Sequence, residues 1–481
     1  MNRNMVWSMT GRIILLEAAL LIAPLLLSLV FRDPGTVPLL VTVGIALLIG
    51  GGLSFAFRTE NQVIYSKEGF FITALAWLAV SAIGALPFWI SGQIPSYIDA
   101  FFETVSGFTT TGASILTNVE AMCRSLLFWR SFTHWMGGMG VLVLLVALLP
   151  NLSGRTIHVL RAEMPGPTMG KLVPRLRDTA RILYLIYIVL TVLEFFLLVL
   201  GGMPMFDSAI HALGTAGTGG FSNCAASLGG YSAYSQWVVA VFMLLFGVNF
   251  NLYYLLLIRK FRSVFRSEEF WTYVGIVLGS TLVITLNILP LYETAAEATR
   301  HAFFQVTSIS STTGFSSVDF NQWPEVSRTI LIILMFIGAC AGSTAGGLKV
   351  SRLVLLFKLI RRELRYLLHP RTVGVVRFEG KPVEKTTLSS VGTYFALYMA
   401  LTMLFLLAVC FQPGYDFTTN FTAVAACFNN IGPGLNLVGP AASYAGYAPI
   451  LKLVLSFAML FGRLEIYPLL LTLSPSTWIK K

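Results

Sequence analysis

Four short polar runs, each centred on a glycine, interrupt a sequence that is otherwise mostly apolar. The glycines are Gly112, Gly220, Gly314 and Gly432, which lie 108, 94 and 118 residues apart, so the runs recur at a nearly constant period. Glycine accepts backbone dihedrals that other residues avoid, which lets carbonyl oxygens turn toward a common axis. Rings of carbonyls can replace the hydration shell of an alkali cation. The four runs therefore predict a cation filter.

The predicted filter consists of each glycine and the two residues before it. Some of these positions add a threonine hydroxyl, but we expect the backbone oxygens to be the ligands. The second run differs because a glycine stands directly before the filter glycine, where the other runs have Thr or Ile, which leaves its geometry less constrained. The predicted filter residues are Thr110, Thr111, Gly112, Thr218, Gly219, Gly220, Thr312, Thr313, Gly314, Asn430, Ile431 and Gly432.

A short half-apolar segment precedes each polar run. Each is about ten to fourteen residues long, too short to cross a bilayer and typical of a re-entrant helix. Phe101, Phe303 and Phe421 all lie eleven residues before their glycine, and Ala209 holds the same place in the second copy. The C-terminal ends of such helices carry partial negative charge, which favours a cation at the axis.

The composition places these elements in a membrane. Of the 481 residues, 56% are apolar and 11% are charged, which indicates a polytopic membrane protein. Ten stretches reach the length of about 20 residues that a spanning helix needs. They are 12–31, 36–57, 68–91, 126–150, 179–201, 235–258, 270–290, 328–358, 388–411 and 447–473. The first resembles a signal peptide, but its apolar run is long and lacks a clear cleavage site, so we predict a retained helix.

The distribution of basic residues predicts the orientation. With a cytoplasmic N-terminus, all but seven of the 33 Lys and Arg residues fall in segments on the inner side. Ten spans then place both termini in the cytoplasm. The net charge of +11 follows from this topology and from attraction to anionic lipid, so it gives no support for nucleic-acid binding. The five cysteines form no metal-binding spacing and predict no disulfide framework.

The predicted fold is an all-α membrane protein with two leading helices and four repeats. Each repeat is a span, a half-helix, a polar loop and another span, and the four repeats surround a central pore with pseudo-fourfold symmetry. The predicted units are two leading helices at 1–60 and repeats at 61–150, 151–260, 261–370 and 371–481.

Other interpretations of these patterns remain open. A single Thr-Thr-Gly run is usually an ordinary turn or a small-residue packing contact, although four at one period are hard to explain in that way. An alternating-access transporter coupled to protons or sodium also uses broken helices, but it typically has two inverted halves, whereas these copies share one polarity. No nucleotide-binding fingerprint or catalytic cluster is present, so we predict that the chain is not an enzyme.

Several polar features lie inside predicted spans. The run "GACAGSTAGG" at 338–347 interrupts the eighth span, and four glycines in ten residues favour a loop over a helix, although close helix packing remains an alternative. Arg463 lies well inside the last span, where an ionisable residue faces a cavity or a partner, and Glu465 is the first acidic partner to consider. Lys452 is nearer its membrane end, within snorkelling reach of the interface, and we assign it no role. We expect His134 to be a packing residue and not a proton carrier, and Glu103, beside the first half-helix, to act structurally or on the pore field. Glu194 is another rare intramembrane acid.

The motifs together resemble a known family. The runs "TTTGAS", "TGGFS", "STTGFS" and "NNIGPGLN" are joined by "RAEMPGP", "FWRSFTHWMGGMG", "GACAGSTAGGLKVSR" and "FGRLEIYPLL". Over nearly its full length the chain resembles the membrane subunit of the bacterial Trk potassium-uptake system, within the Trk/Ktr/HKT superfamily.

The resemblance implies potassium permeation in the inner membrane, assembly as a homodimer, and control by a cytoplasmic nucleotide-binding partner subunit, with no cofactor on this chain itself. It implies that Gly112 favours potassium, because sodium-preferring members often have serine there. It also implies that the glycine-rich break gates the pore below the filter and that an arginine projects toward the path. The gate residues are then Gly338, Gly342, Ser343, Thr344, Ala345, Gly346, Gly347 and Arg463.

Overall fold

The computed structural model describes residues 2–59, 66–140, 176–372 and 374–474. These residues are mostly helical. The one sheet within the described ranges is an antiparallel hairpin of two short strands, Arg377–Phe378 and Lys381–Pro382. The all-α class predicted from the sequence is confirmed.

Two leading helices precede the repeats and pack closely through glycines. A Cβ built on Gly11 would lie 2.8 Å from the carbonyl oxygen of Gly50, and one on Gly50 would lie 2.9 Å from that of Gly11. The absence of both side chains lets the two backbones approach. The first helix begins at residue 3 and not at residue 12 as predicted, because the Asn2 side chain caps its polar first turn. The leading elements are Arg3–Leu20, Ile22–Phe31 and Thr36–Ala56.

Each repeat contributes an outer helix, a pore helix and a helix after the filter loop, which we call the post-filter helix. The outer helices are Ser66–Gly84 with Leu86–Ile90, Leu176–Leu200, Glu268–Ile288 and Lys385–Val409. The pore helices are Tyr97–Phe108, Met205–Gly217, Ala295–Ser310 and Phe417–Phe428. The post-filter helices are Arg124–Gly138, Ala233–Phe246 with Phe250–Leu257, Glu325–Ile337 with Val350–Leu368, and Pro449–Arg463 with Tyr467–Leu473.

Short elements connect these helices. They are the helix Phe261–Phe265 and the 3₁₀ turns Leu289–Leu291, Phe320–Gln322, Asn436–Val438 and Tyr444–Gly446.

Six helices in the described ranges are long and apolar enough to cross a membrane, and they correspond to the leading and outer helices. The other four predicted spans are the post-filter helices, and the second, third and fourth of these are not continuous. The second is bent by 90° between Phe246 and Phe250, the third breaks after Ile337, and the fourth breaks after Arg463. The first is described as far as residue 140, and the rest of its predicted range lies outside the described residues. Only the break in the third was predicted from the sequence.

The pore helices begin at capping residues and stop well short of a span. Ser96, Thr294 and Asp416 each accept a hydrogen bond from the N–H three residues later, which satisfies one free donor of the first turn. Three of the helices have 12 or 13 residues, as predicted. Ala295–Ser310 has 16, because its Thr294 cap starts the helix a turn earlier than expected.

The molecule buries polar residues around its centre and exposes apolar ones at its periphery. Leu48 and Leu200 are 78% and 80% exposed, whereas Thr110 and Thr312 are fully buried. This distribution is the reverse of that in a soluble protein and fits a lipid-facing exterior.

Of the four predicted repeat boundaries, two lie outside the described residues and two fall in connections between helices. Those at 60/61 and 150/151 lie outside the described residues, as do the motif "RAEMPGP" and most of the basic segment 151–181. Those at 260/261 and 370/371 fall in connections just after the second and third post-filter helices.

Candidate ion-conduction site

The four pore helices end in the same hydrogen-bonded turn. The residue before each filter glycine donates its N–H to the carbonyl oxygen five residues earlier. These bonds are Thr111 to Ser106 at 2.9 Å, Gly219 to Gly214 at 2.9 Å, Thr313 to Ser308 at 2.8 Å, and Ile431 to Ala426 at 2.9 Å. One residue earlier, the N–H bonds the carbonyl three residues back, at 2.9 to 3.3 Å. This pair of bonds is a Schellman motif, which satisfies carbonyls at a helix C-terminus.

The turn places an unusual residue in left-handed backbone conformation. Glycine normally occupies that position of the motif, because a Cβ is strained there. Here it is held by Thr110, Thr218, Thr312 and Asn430, with φ between 53° and 59°. Such residues cost roughly 1 to 3 kcal/mol each and persist where the surroundings determine the backbone. The same strained conformation recurs in all four repeats, which makes these turns the candidate site.

The filter glycines join the four loops into a closed ring. Their φ angles are 79°, 78°, 83° and 99° in chain order. Each filter glycine lies very close to the next loop. A Cβ added to it would overlap a backbone carbonyl oxygen there, that of the residue just before the next filter glycine. The approaches are Gly112 to Gly219, Gly220 to Thr313, Gly314 to Ile431, and Gly432 to Thr111. Each loop therefore contacts the next, and the fourth contacts the first.

Two of the threonine hydroxyls, those of Thr111 and Thr313, are engaged with neighbouring hydroxyls. Thr111 Oγ1 lies 2.8 Å from Thr109 Oγ1, and Thr313 Oγ1 lies 2.7 Å from Ser311 Oγ. The Asn430 amide also donates to Thr111 Oγ1 at 3.0 Å. These contacts leave the backbone carbonyls as the groups of the ring best able to coordinate a cation.

A cavity of about 250 Å³ adjoins the ring and is lined by all four filter glycines. Arg130 also lines it, but its charge is compensated by Glu103, whose Oε1 lies 2.6 Å from Arg130 Nε. The same guanidinium donates to the Ser222 carbonyl at 2.9 Å and lies 3.5 Å from the centre of the Phe221 ring. Glu103 also accepts from Ser114 and from the N–H of Ile115. The buried pair thus ties the first filter loop to the second, which favours the structural role expected for Glu103.

His134 explains the extra glycine of the second loop. Its Nδ1 lies 2.7 Å from the Gly107 carbonyl, and its Nε2 accepts the N–H of Phe221 at 3.2 Å. A Cβ on Gly219 would overlap the imidazole ring. Gly219 is thus needed because of its neighbour and not because of its φ, and the second loop has the same geometry as the others. The sequence placed His134 as a packing residue, but no signal in it linked His134 to Gly219.

The glycine-rich break lies against the ends of the third and fourth pore helices. The N–H of Gly346 donates to Thr312 Oγ1 at 2.7 Å, and a Cβ on Gly346 would lie 2.6 Å from the Asn429 carbonyl oxygen. Gly338, Gly342 and Gly347 have φ of 70°, 73° and 75°. The break is therefore an ordered loop touching the filter turns, and a continuous helix is excluded.

The second and third repeats hold this loop from the other side. Cys340 donates its N–H to the Gly247 carbonyl at 3.1 Å, and Gly342 accepts from the N–H of Phe250 at 3.0 Å. Both bonds go to the bend of the second post-filter helix, so that bend receives the loop. Glu269 accepts from the N–H of Ala341 at 2.7 Å.

Arg463 connects the loop to the first and fourth repeats. Its guanidinium donates to the Thr344 carbonyl at 2.7 Å and to the carbonyls of Gly137 and Gly138 at 2.5 and 2.7 Å. Glu465 pairs with Arg352 instead, at 2.6 Å. Glu465, the first acidic partner to consider for Arg463, therefore pairs elsewhere, because the chain turns at Leu464 and separates the two side chains.

Other buried ionisable residues have simpler positions. Lys452, to which the sequence assigned no role, pairs with Asp99 at 2.7 Å, with its side chain 6% exposed. Glu194 is fully buried in the second outer helix. Among the described residues, no cluster of three or more His, Cys, Asp or Glu side chains could hold a metal ion.

A helical membrane chain with four short pore helices and four loops closed into a ring fits the class of cation-transport proteins. A family model described as "TrkH: Cation transport protein" matches residues 39–285 and 292–480. The chain belongs to the TrkH family. This is a family of transport proteins and not of enzymes.

Relatives and a solved structure agree with this assignment. The Trk system potassium uptake protein TrkH of Salmonella typhimurium is 38% identical over 99% of this chain and 100% of its own length. Its counterpart in Escherichia coli K12 is 37% identical over the same shares. The crystal structure of the potassium transporter TrkH from Vibrio parahaemolyticus aligns with a TM-score of 0.88 at 34% identity, covering 100% of both chains.

Proposed function

We propose that this chain takes up potassium across the inner membrane through a filter formed by the four glycine loops. The observation that carries the proposal is the ring in which each filter glycine abuts the carbonyl of the next loop. Equivalent carbonyls from four repeats supply the symmetric oxygen cage that a dehydrated alkali cation requires. Two similar proteins are named potassium uptake proteins, which favours potassium as the ion.

We further propose that the loop 338–347 is the gate. It contacts the filter turns through Gly346 and is held by Arg463, so it lies between the filter and the post-filter helices. A displacement of this loop would open the space beneath the ring. The positive charge of Arg463 lies at the same level and raises the electrostatic barrier for a cation.

Assembly and control belong to the same proposal. The third post-filter helix continues from the gate loop into the basic segment 349–385, which the distribution of Lys and Arg places in the cytoplasm. We propose that the chain forms a homodimer. We propose further that a cytoplasmic nucleotide-binding subunit binds the face that carries the basic segment 349–385 and acts on the gate from there. Both termini then lie in the cytoplasm.

Rubidium and potassium flux into proteoliposomes tests the central proposal. We expect uptake to follow the potassium gradient, to discriminate against sodium, and to need neither a pH gradient nor a sodium gradient. Uptake that occurs only with one of those gradients would instead support a coupled, alternating-access transporter.

Gly314→Asp provides the inactive control for this assay. The new side chain would overlap the Ile431 carbonyl and place a carboxylate in the ring. We expect transport to be lost while the amount of protein in the membrane is unchanged. Full transport by this variant would argue against the filter.

A further inference from the structure

A second cavity, of about 1180 Å³, lies between the third post-filter helix and the start of the fourth outer helix. Its lining is strongly basic, with Glu363 as the one acidic residue among its described lining residues. The basic lining residues that carry the inference are Arg361, Arg365, Arg371, Arg377 and Lys385.

Most of this positive charge is not neutralised by the protein. Two other lining residues are paired, since Lys358 contacts Glu268 and Arg362 contacts Glu363. Within the described ranges, none of the five residues that carry the inference has a carboxylate within 4.0 Å. Five uncompensated cations around one cavity predict an anionic ligand.

The helix that forms one wall also presents an apolar face. Phe357, Ile360 and Leu364 recur at spacings of three and four, so they share one side of the helix, and they are 64%, 54% and 57% exposed. Arg361 and Arg365 each follow one of these residues directly and form the adjacent side. A cationic surface thus borders an exposed apolar one on a single helix.

We infer that this cavity binds the headgroup of an anionic phospholipid. Arginine guanidinium groups match phosphate oxygens with paired hydrogen bonds. The neighbouring apolar row gives the acyl chains a surface, which a soluble phosphate does not need. Basic pockets between helices at the cytoplasmic face suit phospholipid headgroups, and each Lys or Arg near an anionic surface adds to the attraction. The proposed lipid site is inferred from the cavity and its helix alone, so its test does not depend on whether the loop 338–347 acts as a gate.

Native mass spectrometry of the full chain in detergent tests the inference, with dioleoylphosphatidylglycerol as the probe and the phosphatidylcholine of the same chains as the neutral comparison. The test variant carries Arg361→Gln, Arg365→Gln and Arg371→Gln. The matched control carries Lys260→Gln, Arg262→Gln and Arg266→Gln, which removes the same charge from exposed residues outside the cavity. We expect the test variant to lose at least tenfold in affinity for the anionic lipid and the control to lose less than twofold.

Three outcomes would overturn the inference. Equal losses in both variants would mean that binding follows net charge and not the cavity. Displacement of the lipid by millimolar inorganic phosphate or glycerol 3-phosphate would assign the cavity to a soluble anion. A disulfide linking two copies through Leu364→Cys, in a Cys410→Ser background, would assign the apolar row to a protein interface.

Discussion

At the scale of the residue, each filter turn combines two left-handed positions separated by one residue. The first of these, threonine in three repeats, is strained, and the second is always glycine. The Schellman hydrogen bonds fix the backbone of the first left-handed residue, and the close approach of the next loop fixes the backbone of the glycine. Contacts at the glycine therefore help to maintain the strained conformation of the first residue. A filter built in this way depends more on backbone placement than on side-chain chemistry.

We predict that Gly112→Ser reduces the preference for potassium over sodium. The serine Cβ would overlap the Gly219 carbonyl, so the ring must widen at one corner. Relative permeability from rubidium and sodium flux measures the change. Gly92→Ser is the matched control, because Gly92 has φ of 71° but no atom within 4 Å of an added Cβ. Unchanged selectivity in a folded Gly112→Ser variant would argue against the filter.

We predict that Arg463→Ala raises basal flux by about tenfold. The substitution removes three bonds from a charged donor to carbonyls, and one such bond contributes about 1.5 kcal/mol or more. The Thr344 carbonyl is thereby released from the first and fourth repeats. Flux without any partner protein is the measurement.

Arg463→Lys separates two explanations of that result. Lysine keeps the positive charge but lacks the planar fork that reaches several carbonyls together. If Arg463 holds the loop, the lysine variant also leaks, whereas a purely electrostatic barrier keeps its flux low. Loss of both folded protein and flux in Arg463→Ala would indicate a structural role alone.

At the scale of the element, the gate loop is a break whose two ends meet. A Cβ on Gly347 would lie 3.1 Å from the Gly338 Cα, and the N–H of Val350 donates to the Ala339 carbonyl at 3.0 Å. The helices on either side are therefore connected independently of the residues between them. The loop can be shortened without separating these helices.

We predict that deletion of residues 341–345 raises partner-independent potassium flux and leaves selectivity intact. The deletion removes the Thr344 carbonyl that Arg463 holds, while the filter turns keep their own bonds. Ser343→Ala is the control, because its hydroxyl bonds only the Cys340 carbonyl within the described chain. If the shortened protein is folded but its flux is unchanged and still needs the partner, the loop is a packing element.

The elements also differ in how well the sequence predicts them. The pore helices and the break at 338–347 were predictable, because polar and glycine-rich runs stand out against apolar spans. The bend at residues 247–249 was not, because hydropathy stays high through "LLFGVNFNLYYL". The break at 464–466 was not predicted either, although Arg463, Glu465 and Pro468 interrupt the apolar run "FGRLEIYPLL". The loop contacts that cause them lie about a hundred residues away in the chain, as in the bond from Cys340 to Gly247.

The same limit applies to the site. Spacing alone singled out the four glycines that form the ring, since a repeated backbone requirement leaves a repeated residue. It could not show that Gly219 makes room for His134, or that Arg463 binds backbone carbonyls and not Glu465. Those facts depend on three-dimensional neighbours that local patterns do not encode.

At the scale of the whole molecule, hydropathy distinguishes the exterior from the centre, and charge distinguishes one end of the helices from the other. Apolar side chains cover the outside of the helices, and basic residues gather at one end, where the cavity beside Arg361 and the connection around Arg262 both lie in segments predicted to be cytoplasmic. The filter cavity belongs to the opposite end of the post-filter helices. The orientation of the molecule therefore decides from which side potassium enters the filter.

We predict that the filter cavity faces the outside of the cell, and the native Cys410 tests this orientation. Cys410 is exposed and follows the fourth outer helix, at the end opposite to the basic segment 349–385. With the other cysteines replaced by serine, a membrane-impermeant maleimide should label Cys410 in intact cells. Arg266→Cys in a Cys410→Ser background provides the partner measurement, because that exposed residue should be labelled only after permeabilisation. The reverse pattern would place the basic segments outside, contradict the positive-inside prediction, and direct the filter cavity toward the cytoplasm.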